Sequence, residues 1–153
     1  MFKHEILCNT INNPCSTSNR TGQSADDSVR TVIKRMFTAM GLADTSMLRS
    51  CFSPGMILET ISRDKEGKTI VLREDPNDFI DFLGREKAGA ADERIEFELV
   101  KVDGPLASVW TPYSFYYNGI FSHCGVNSFQ LVKINGEWKI RYLIDTRRKQ
   151  GCK

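Results

Sequence analysis

The side chains best suited to acid–base chemistry and hydrogen bonding lie in the last third of the chain. Asn127 follows His123 at a distance of four residues, and Tyr113 precedes His123 by ten. Side chains at even spacing in a strand point to the same face, so His123 and Asn127 are expected to share one. An imidazole, an amide and a phenol can together hydrogen-bond a flat ligand with polar edges. The sequence therefore predicts a small-molecule site, with the alternative that His123 is a core or rim histidine and Tyr113 only packs.

Aromatic residues around Tyr113 would supply the walls of this site. Tyr113 and Phe115 share the alternating face of the run Leu106–Tyr117. Pro112 interrupts that run, and a bulge there would shift the alternation by one residue and turn Trp110 to the same face. We therefore expect five side chains to line the ligand: Trp110, Tyr113, Phe115, His123 and Asn127.

Two acidic residues, Asp145 and Glu59, raise the question of catalysis. A carboxylate at Asp145 beside His123 would orient the imidazole and raise its pKa, as a general base near neutral pH requires. The alternative is an exposed strand end whose ion pairs contribute only ~0–1 kcal/mol each. An isomerase site needs a carboxylate base, a tyrosine and a protonated acid, for which Glu59, Tyr113 and Asp145 are the candidates. The sequence assigns no catalytic residue.

Several classes of function lack their sequence signatures. The chain has no glycine-rich dinucleotide motif, no phosphate-binding loop, no nucleophile elbow and no H-E-x-x-H motif. It has two histidines, and His4 lies near the start, so we expect neither a cofactor nor a metal site. The 21 basic and 19 acidic residues leave a formal charge of +2, which is too balanced for a nucleic-acid groove.

Cysteine usage and hydropathy bear on the cellular compartment. The five cysteines form an odd set without C-x-x-C spacing, which argues against a disulfide framework and for reduced thiols in the cytoplasm. No apolar run reaches the ~18–20 residues of a membrane span. The first 15 residues carry one lysine and then Glu5, unlike a secretory signal. We therefore predict a cytoplasmic protein. The cysteines are Cys8, Cys15, Cys51, Cys124 and Cys152.

The helices that must position the site are predicted in the first half of the chain. Residues 1–23 are rich in Asn, Ser, Thr and Gly and lack periodicity, so we expect a disordered tail, followed by one folded domain over residues 24–150. The first helix has an apolar stripe and a stop at Gly41. Each helix begins at a residue that can cap it: Ser24, Asp44 and Asp75.

The second half of the chain is β-rich. Asn-Gly pairs, the strongest short hairpin signal, separate long alternating runs. Twelve residues at ~3.3 Å each would span ~40 Å, so the sheet must bend, and Pro112 and Gly125 mark bends within strands. We predict an α+β fold in which three N-terminal helices pack in the concave face of a long, strongly curved antiparallel sheet, as a cone with an internal pocket. The predicted strands are a hairpin, Met56–Arg63 and Lys68–Arg73, and four long runs, Arg94–Val102, Leu106–Tyr117, Ile120–Ile134 and Glu137–Ile144.

This element order and four sequence strings resemble a known superfamily. The strings are Val109–Tyr116, His123–Leu131, Gly136–Ile140 and Asp145–Arg148. They resemble the nuclear transport factor 2-like (NTF2-like) superfamily, the cystatin-like α+β cone, and within it the lumazine-binding or SnoaL-like branch, over roughly residues 25–150. The superfamily includes ketosteroid isomerases, dehydratases and non-catalytic assembly domains. The resemblance therefore implies a pocket between helices and sheet, without naming its use.

Three functions follow as expectations. The first is a small-molecule-binding protein for an aromatic or polycyclic metabolite. The alternatives are a cofactor-free lyase or isomerase and a non-catalytic dimerisation module whose cavity is filled by aromatic side chains. The outer face of the sheet is too apolar for a wet surface, which predicts a homodimer through that face. The balanced charge and the lack of a long apolar run predict no binding to nucleic acid or membrane. The apolar outer positions are expected to be Val100, Val102, Tyr116, Cys124, Val126 and Val132.

Overall fold

The structure is a computed structural model that describes residues 23–152. The predicted tail lies outside the described residues, apart from Gln23. The three predicted helices form, each with the predicted cap: the Ser24, Asp44 and Asp75 side chains accept hydrogen bonds from backbone N–H groups of the first turn. The helices are α1 (Ala25–Leu42), α2 (Thr45–Ser50) and α3 (Pro76–Arg85). Helix α1 ends one residue beyond Gly41, with Ala43 in the left-handed conformation.

Seven strands form one open, curved sheet in the order β2-β1-β7-β6-β5-β3, with β4 also paired to β5. The predicted α+β fold with three helices and a curved sheet is confirmed, and its strand pairs are antiparallel except that β1 runs parallel to β7. Turn signals reveal only pairs of strands that follow one another in the chain, and β1 and β7 do not. The strands are β1 (Phe52–Arg63), β2 (Thr69–Glu74), β3 (Ala91–Ile95), β4 (Leu99–Asp103), β5 (Leu106–Tyr117), β6 (Ile120–Ile134) and β7 (Glu137–Thr146).

The predicted strand over Arg94–Val102 is two strands separated by a bulge. Ile95 pairs with Tyr113 and Leu99 with Trp110, so three residues face two on β5. The bulge lies opposite Pro112, which has no N–H to donate to a neighbouring strand. The extra residue therefore lies in the segment between β3 and β4, and the side chains of β5 alternate between the two faces along the whole strand.

The core lies between the concave face of the sheet and the helices. Helix α1 buries Val29, Ile33 and Met36 against it. Phe37 packs edge-on against Phe129, with ring centroids 6.2 Å apart, and fills this part of the hollow.

The outer face of the sheet is apolar, but partly through other residues than predicted. Val100 and Val102 pair with Val109 and Ala107 on the concave side, where they pack against the core. Their prediction as outer residues is wrong because the bulge reverses the alternation between β3 and β4. Exposed apolar side chains on the outer face of β4 and β5 are instead Leu99, Leu106 and Trp110.

A disulfide joins Cys124 and Cys152, so the prediction of reduced thiols is wrong for this pair. The end of the chain continues beside β6, where Arg148 and Cys124 exchange two backbone hydrogen bonds of 2.8 and 2.9 Å. This pairing holds the following residues near β6, where the Cα atoms of Cys124 and Cys152 are 5.8 Å apart, within the range that a disulfide needs. Sequence spacing carries no signal of it, because strand register sets the distance. Cys51 is free and buried.

The disulfide removes the cysteine argument for a cytoplasmic location. No helix within residues 23–152 is long and apolar enough to cross a membrane.

The disulfide should stabilise the fold, because it joins residues 28 positions apart. We predict that Cys152→Ser lowers the free energy of unfolding by about 3 kcal/mol, as expected for a loop of this length. Urea denaturation of the wild type with and without a dithiol reductant measures the same quantity independently. The variant should not respond to the reductant. Equal midpoints for the oxidised and reduced wild type would contradict the prediction.

Candidate functional site

A cavity of about 210 Å³ lies at the open end of the cone, between α3 and the concave face of the sheet. Its apolar lining is mostly aromatic, and the aromatic residues come from α3 and β5: Phe79, Phe82, Tyr113, Phe115 and Tyr117. Polar side chains from β2, β3, β6 and the end of β7 also line it: Glu74, Glu93, His123, Asp145 and Arg147. The cavity therefore combines a ring-lined wall with several ionisable groups.

Three of the five predicted lining residues contact this cavity: Tyr113, Phe115 and His123. They share a face because Phe115 pairs with His123 and Tyr113 with Gly125 across β5 and β6. Asn127 faces the same side but is only 4% exposed and does not line the cavity, and its amide contacts Glu93, which does. Trp110 lies on the outer face, 43% exposed. The predicted one-residue shift in the alternation of β5, which would have turned Trp110 inward, does not occur. The bulge lies opposite Pro112, between β3 and β4, and not in β5 itself.

Asp145 is the centre of a hydrogen-bond network at the end of β7. Its Oδ1 accepts from the Thr60 hydroxyl at 2.6 Å, and its Oδ2 lies 2.9 Å from the Tyr113 hydroxyl and 3.0 Å from Arg147 Nε. Arg147 also donates to the Thr60 Oγ1 at 3.0 Å. Asp145 is 8% exposed, so this pairing compensates a buried charge. Asp145 is therefore not an exposed strand end.

The predicted His123–Asp145 pair does not form, because Thr60, Tyr113 and Arg147 occupy the oxygens of Asp145. The His123 Nδ1 lies 3.0 Å from the Ser122 hydroxyl instead. Burial lowers the pKa of His123, helped by the Arg147 charge and opposed by Asp145. The direction is opposite to the predicted one and favours the neutral imidazole.

Tyr113 lies against both His123 and the Asp145 network. Its ring packs edge-on against the His123 ring, with the ring centroids 5.7 Å apart. Burial, and then the charges of Asp145 and Glu93, raise the pKa of Tyr113, so its hydroxyl stays protonated. The hydroxyl is also 2.8 Å from the Thr146 carbonyl oxygen. Tyr113 is therefore fixed as a hydrogen-bond donor to the end of β7.

Sequence reasoning missed Glu93 and named Glu59 as a candidate carboxylate instead. Glu59 faces outward, where its Oε2 accepts from the Tyr142 hydroxyl at 2.7 Å. Glu93 faces the cavity, and its Oε1 accepts from the Asn127 amide at 2.8 Å. Burial raises the pKa of Glu93 to about 7, with a smaller contribution from Asp145, against the Asn127 hydrogen bond and Arg147. The available signal was its position between Ala91 and Ile95 on an alternating apolar face.

Gly125 allows the end of β7 to enter the site. A Cβ at this position would lie 1.7 Å from the carbonyl oxygen of Thr146 and 2.9 Å from the Tyr113 ring. The Thr146 hydroxyl accepts from the Val126 N–H at 3.1 Å and holds the chain in this crossing. The glycine predicted to mark a bend thus allows β6 and the end of β7 to approach closely at Gly125. This close approach positions Asp145 and Arg147.

Comparison with known proteins identifies the fold. No model of a protein family matches the sequence, and no curated protein sequence matches it. Among solved structures, an NTF2-like protein of unknown function from Shewanella baltica aligns with a TM-score of 0.62 at 15% identity, over 80% of this chain and 93% of that one. A protein of unknown function with a cystatin-like fold from Nostoc punctiforme gives 0.64 at 12%, over 83% and 95%. The chain has the NTF2-like fold.

The predicted resemblance to the NTF2-like superfamily is therefore confirmed at the level of the fold. A third structure, an NTF2-like protein of unknown function from Methylobacillus flagellatus, agrees, with a TM-score of 0.62 at 16% identity over 82% of this chain and 94% of that one. Membership of the lumazine-binding or SnoaL-like branch stays a prediction. The use of the cavity in this NTF2-like chain has to be argued from its own residues.

Gly125 and Gly41 provide a matched pair for testing the crossing in this NTF2-like chain. We predict that Gly125→Ala lowers the free energy of unfolding by about 3 kcal/mol, because the added methyl group displaces Thr146 and its contacts to Tyr113. Gly41→Ala should be neutral or stabilising by up to ~1 kcal/mol, because Gly41 is helical and its Cβ would make an ordinary 3.7 Å contact. Chemical denaturation measures both. Similar changes in the free energy of unfolding for the two variants would contradict the close approach of Thr146 to Gly125.

Proposed function

We propose that this protein binds a small organic molecule in the cavity between α3 and the sheet. The observation that carries the proposal is that the cavity stays open although the hollow beside it is filled. Phe37 packs against Phe129 in the core, whereas Phe79 and Phe115 stand at the wall of the open space. This arrangement favours a binding protein over a dimerisation module with a filled cavity.

The size of the cavity bears on the kind of molecule. Ligand pockets usually have volumes of ~300–1,000 Å³, and this cavity has about 210 Å³. It therefore favours a compact ligand with one ring over a polycyclic one. The five surrounding aromatic side chains suit stacking or edge-on contact with such a ring. His123 and Glu93 on the wall offer hydrogen bonds to its polar edge.

The alternative function, a cofactor-free lyase or isomerase, is favoured by one observation. Glu93 has a pKa of about 7 and faces the same cavity as His123, so two groups suited to proton transfer border one space. The His–Asp pair expected for such chemistry is absent, because Asp145 is bonded to Thr60, Tyr113 and Arg147. Binding therefore has the stronger support.

We also propose that the protein forms a homodimer through the outer face of the sheet. Leu99 and Trp110 are neighbours there, paired across β4 and β5, and Leu106 pairs with Val132 on the same face. Leu99, Leu106 and Trp110 are each more than 40% exposed. Large adjoining apolar side chains on a monomer surface usually mark an interface, and a second copy would bury them.

Native mass spectrometry of the purified protein tests ligand binding. We predict a retained small molecule, which is lost or strongly reduced in Phe115→Ala because that ring borders the cavity. Phe121→Ala is the matched control, since Phe121 is exposed and pairs with Tyr116 on the outer face. Equal retention by both variants would place the ligand elsewhere. Conversion of the identified ligand on incubation with the protein would favour the enzymatic alternative.

Light scattering at micromolar concentration tests the homodimer. The wild type should be a dimer, and Trp110→Glu should dissociate it by placing a charge within the interface. Ile120→Glu, at the exposed turn between β5 and β6, is the control that should remain dimeric. A monomeric wild type would overturn the proposal.

A further inference from the structure

We propose that the ligand of this cavity is an organic cation, such as a protonated amine carried on a single ring. This inference rests on the proposed function, because it concerns the charge of the molecule that binds there. Two features of the wall carry it: the balance of its charges and the arrangement of its aromatic rings.

Acidic groups outnumber basic ones around the cavity. Three carboxylates line it, from Glu74, Glu93 and Asp145, against one guanidinium, from Arg147. Arg147 Nε is 3.0 Å from Asp145, so these two charges compensate each other. Glu74 and Glu93 then remain on the wall without an ion pair to Arg147, whose charge acts on both only from a distance. A bound anion would be repelled by both, and a bound cation would be attracted.

Glu93 has hydrogen-bonding capacity directed at a ligand. One of its oxygens, Oε1, accepts from the Asn127 amide at 2.8 Å, and this bond orients the carboxylate. A carboxylate can accept about four hydrogen bonds, so Oε2 and a second lone pair on Oε1 are available to an ammonium group. Charge-assisted bonds of this kind are about twice as strong as neutral ones.

The rings of the cavity suit the same ligand. Phe79 and Phe82 from α3 and Tyr113, Phe115 and Tyr117 from β5 line the cavity. The faces of aromatic rings carry negative charge and attract cations, and groups of such rings bind ammonium ligands in proteins. Carboxylates and ring faces together therefore favour a positively charged molecule with an apolar part.

The charge of the wall should vary with pH through Glu93. The ionisable groups around it are Asp145 from β7, Arg147 just after β7, His123 from β6, Tyr113 and Tyr117 from β5 and Glu74 from β2, while α3 contributes the apolar Phe79, Phe82 and Leu83. Burial lowers the pKa of His123 and raises that of Tyr113, which favours the uncharged form of both, so the change in charge is assigned to Glu93. Its pKa of about 7 means that the carboxylate becomes charged as the pH rises through this range. A cation should therefore bind more tightly at pH 8 than at pH 6.

Three probes of the same shape test the charge of the ligand: benzylammonium, benzyl alcohol and benzoate. Calorimetric titration of the full chain at pH 8 should show benzylammonium binding at least about tenfold more tightly than benzyl alcohol, and benzoate more weakly than either. At pH 6 the advantage of benzylammonium over benzyl alcohol should shrink, because Glu93 is then mostly protonated.

Glu93→Gln and Asp92→Asn separate the role of Glu93 from that of charge in general. Gln keeps an oxygen for Asn127 but removes the charge, so the preference for benzylammonium should shrink to its pH 6 value and lose its pH dependence. Binding of benzyl alcohol should persist, which shows that the variant is folded. Asp92 is the neighbour on β3 that faces outward and pairs with Arg94 at 2.8 Å, and Asp92→Asn should behave as the wild type.

The outcomes distinguish this inference from the proposed function. If benzyl alcohol or benzoate binds the wild type as tightly as benzylammonium, the cavity binds ligands but the cation inference is wrong. If Glu93→Gln retains the full preference for benzylammonium, the assignment to this site is wrong. If none of the three probes binds, the cation inference fails, and if native mass spectrometry also finds no retained molecule, the proposed function fails with it.

Discussion

The contact between the Thr146 carbonyl and Gly125 is the constraint on which the site depends. The carbonyl oxygen occupies the position where any other residue would have its Cβ, and it accepts the Tyr113 hydroxyl there. This crossing directs Asp145 and Arg147 towards Thr60 and the cavity. It also keeps the chain beside β6 as far as the bridge between Arg148 and Cys124. The end of β7 thus belongs to both the sheet and the site.

Two carboxylates on one wall differ because their partners differ. Asp145 has a guanidinium and two hydroxyls within hydrogen-bond distance, which compensate its removal from water. Glu93 has one amide from Asn127, which only partly offsets burial, so its pKa rises. The wall therefore contains one carboxylate satisfied by the protein and one with capacity to spare. The first holds the shape of the wall, and the second is the group on which the proposed recognition of a cation depends.

Strand β6 has the cavity on one face and the disulfide on the other. Its inward residues, His123, Gly125 and Asn127, lie on or directly behind the cavity wall. Its outward residue Cys124 carries the disulfide that ties Cys152 and the segment after Arg147 to the sheet. Adjacent residues of a strand point to opposite faces, so Cys124 lies on the outer face between His123 and Gly125 on the inner one. The disulfide therefore holds the chain after β7 to the same stretch of β6 that borders the cavity.

Local signals in the sequence determined the helices with their caps, the hairpins, the strand limits near Asn-Gly turns and the shared face of Tyr113, Phe115 and His123. These depend on residues close in the chain, where cap chemistry and alternation act directly. Only the tertiary structure decided the parallel β1–β7 pair, the outward position of Trp110, the partners of Asp145, the inclusion of Glu93 and the Cys124–Cys152 disulfide. Each of these depends on the register between distant strands, and a shift of one residue reverses which face a side chain takes.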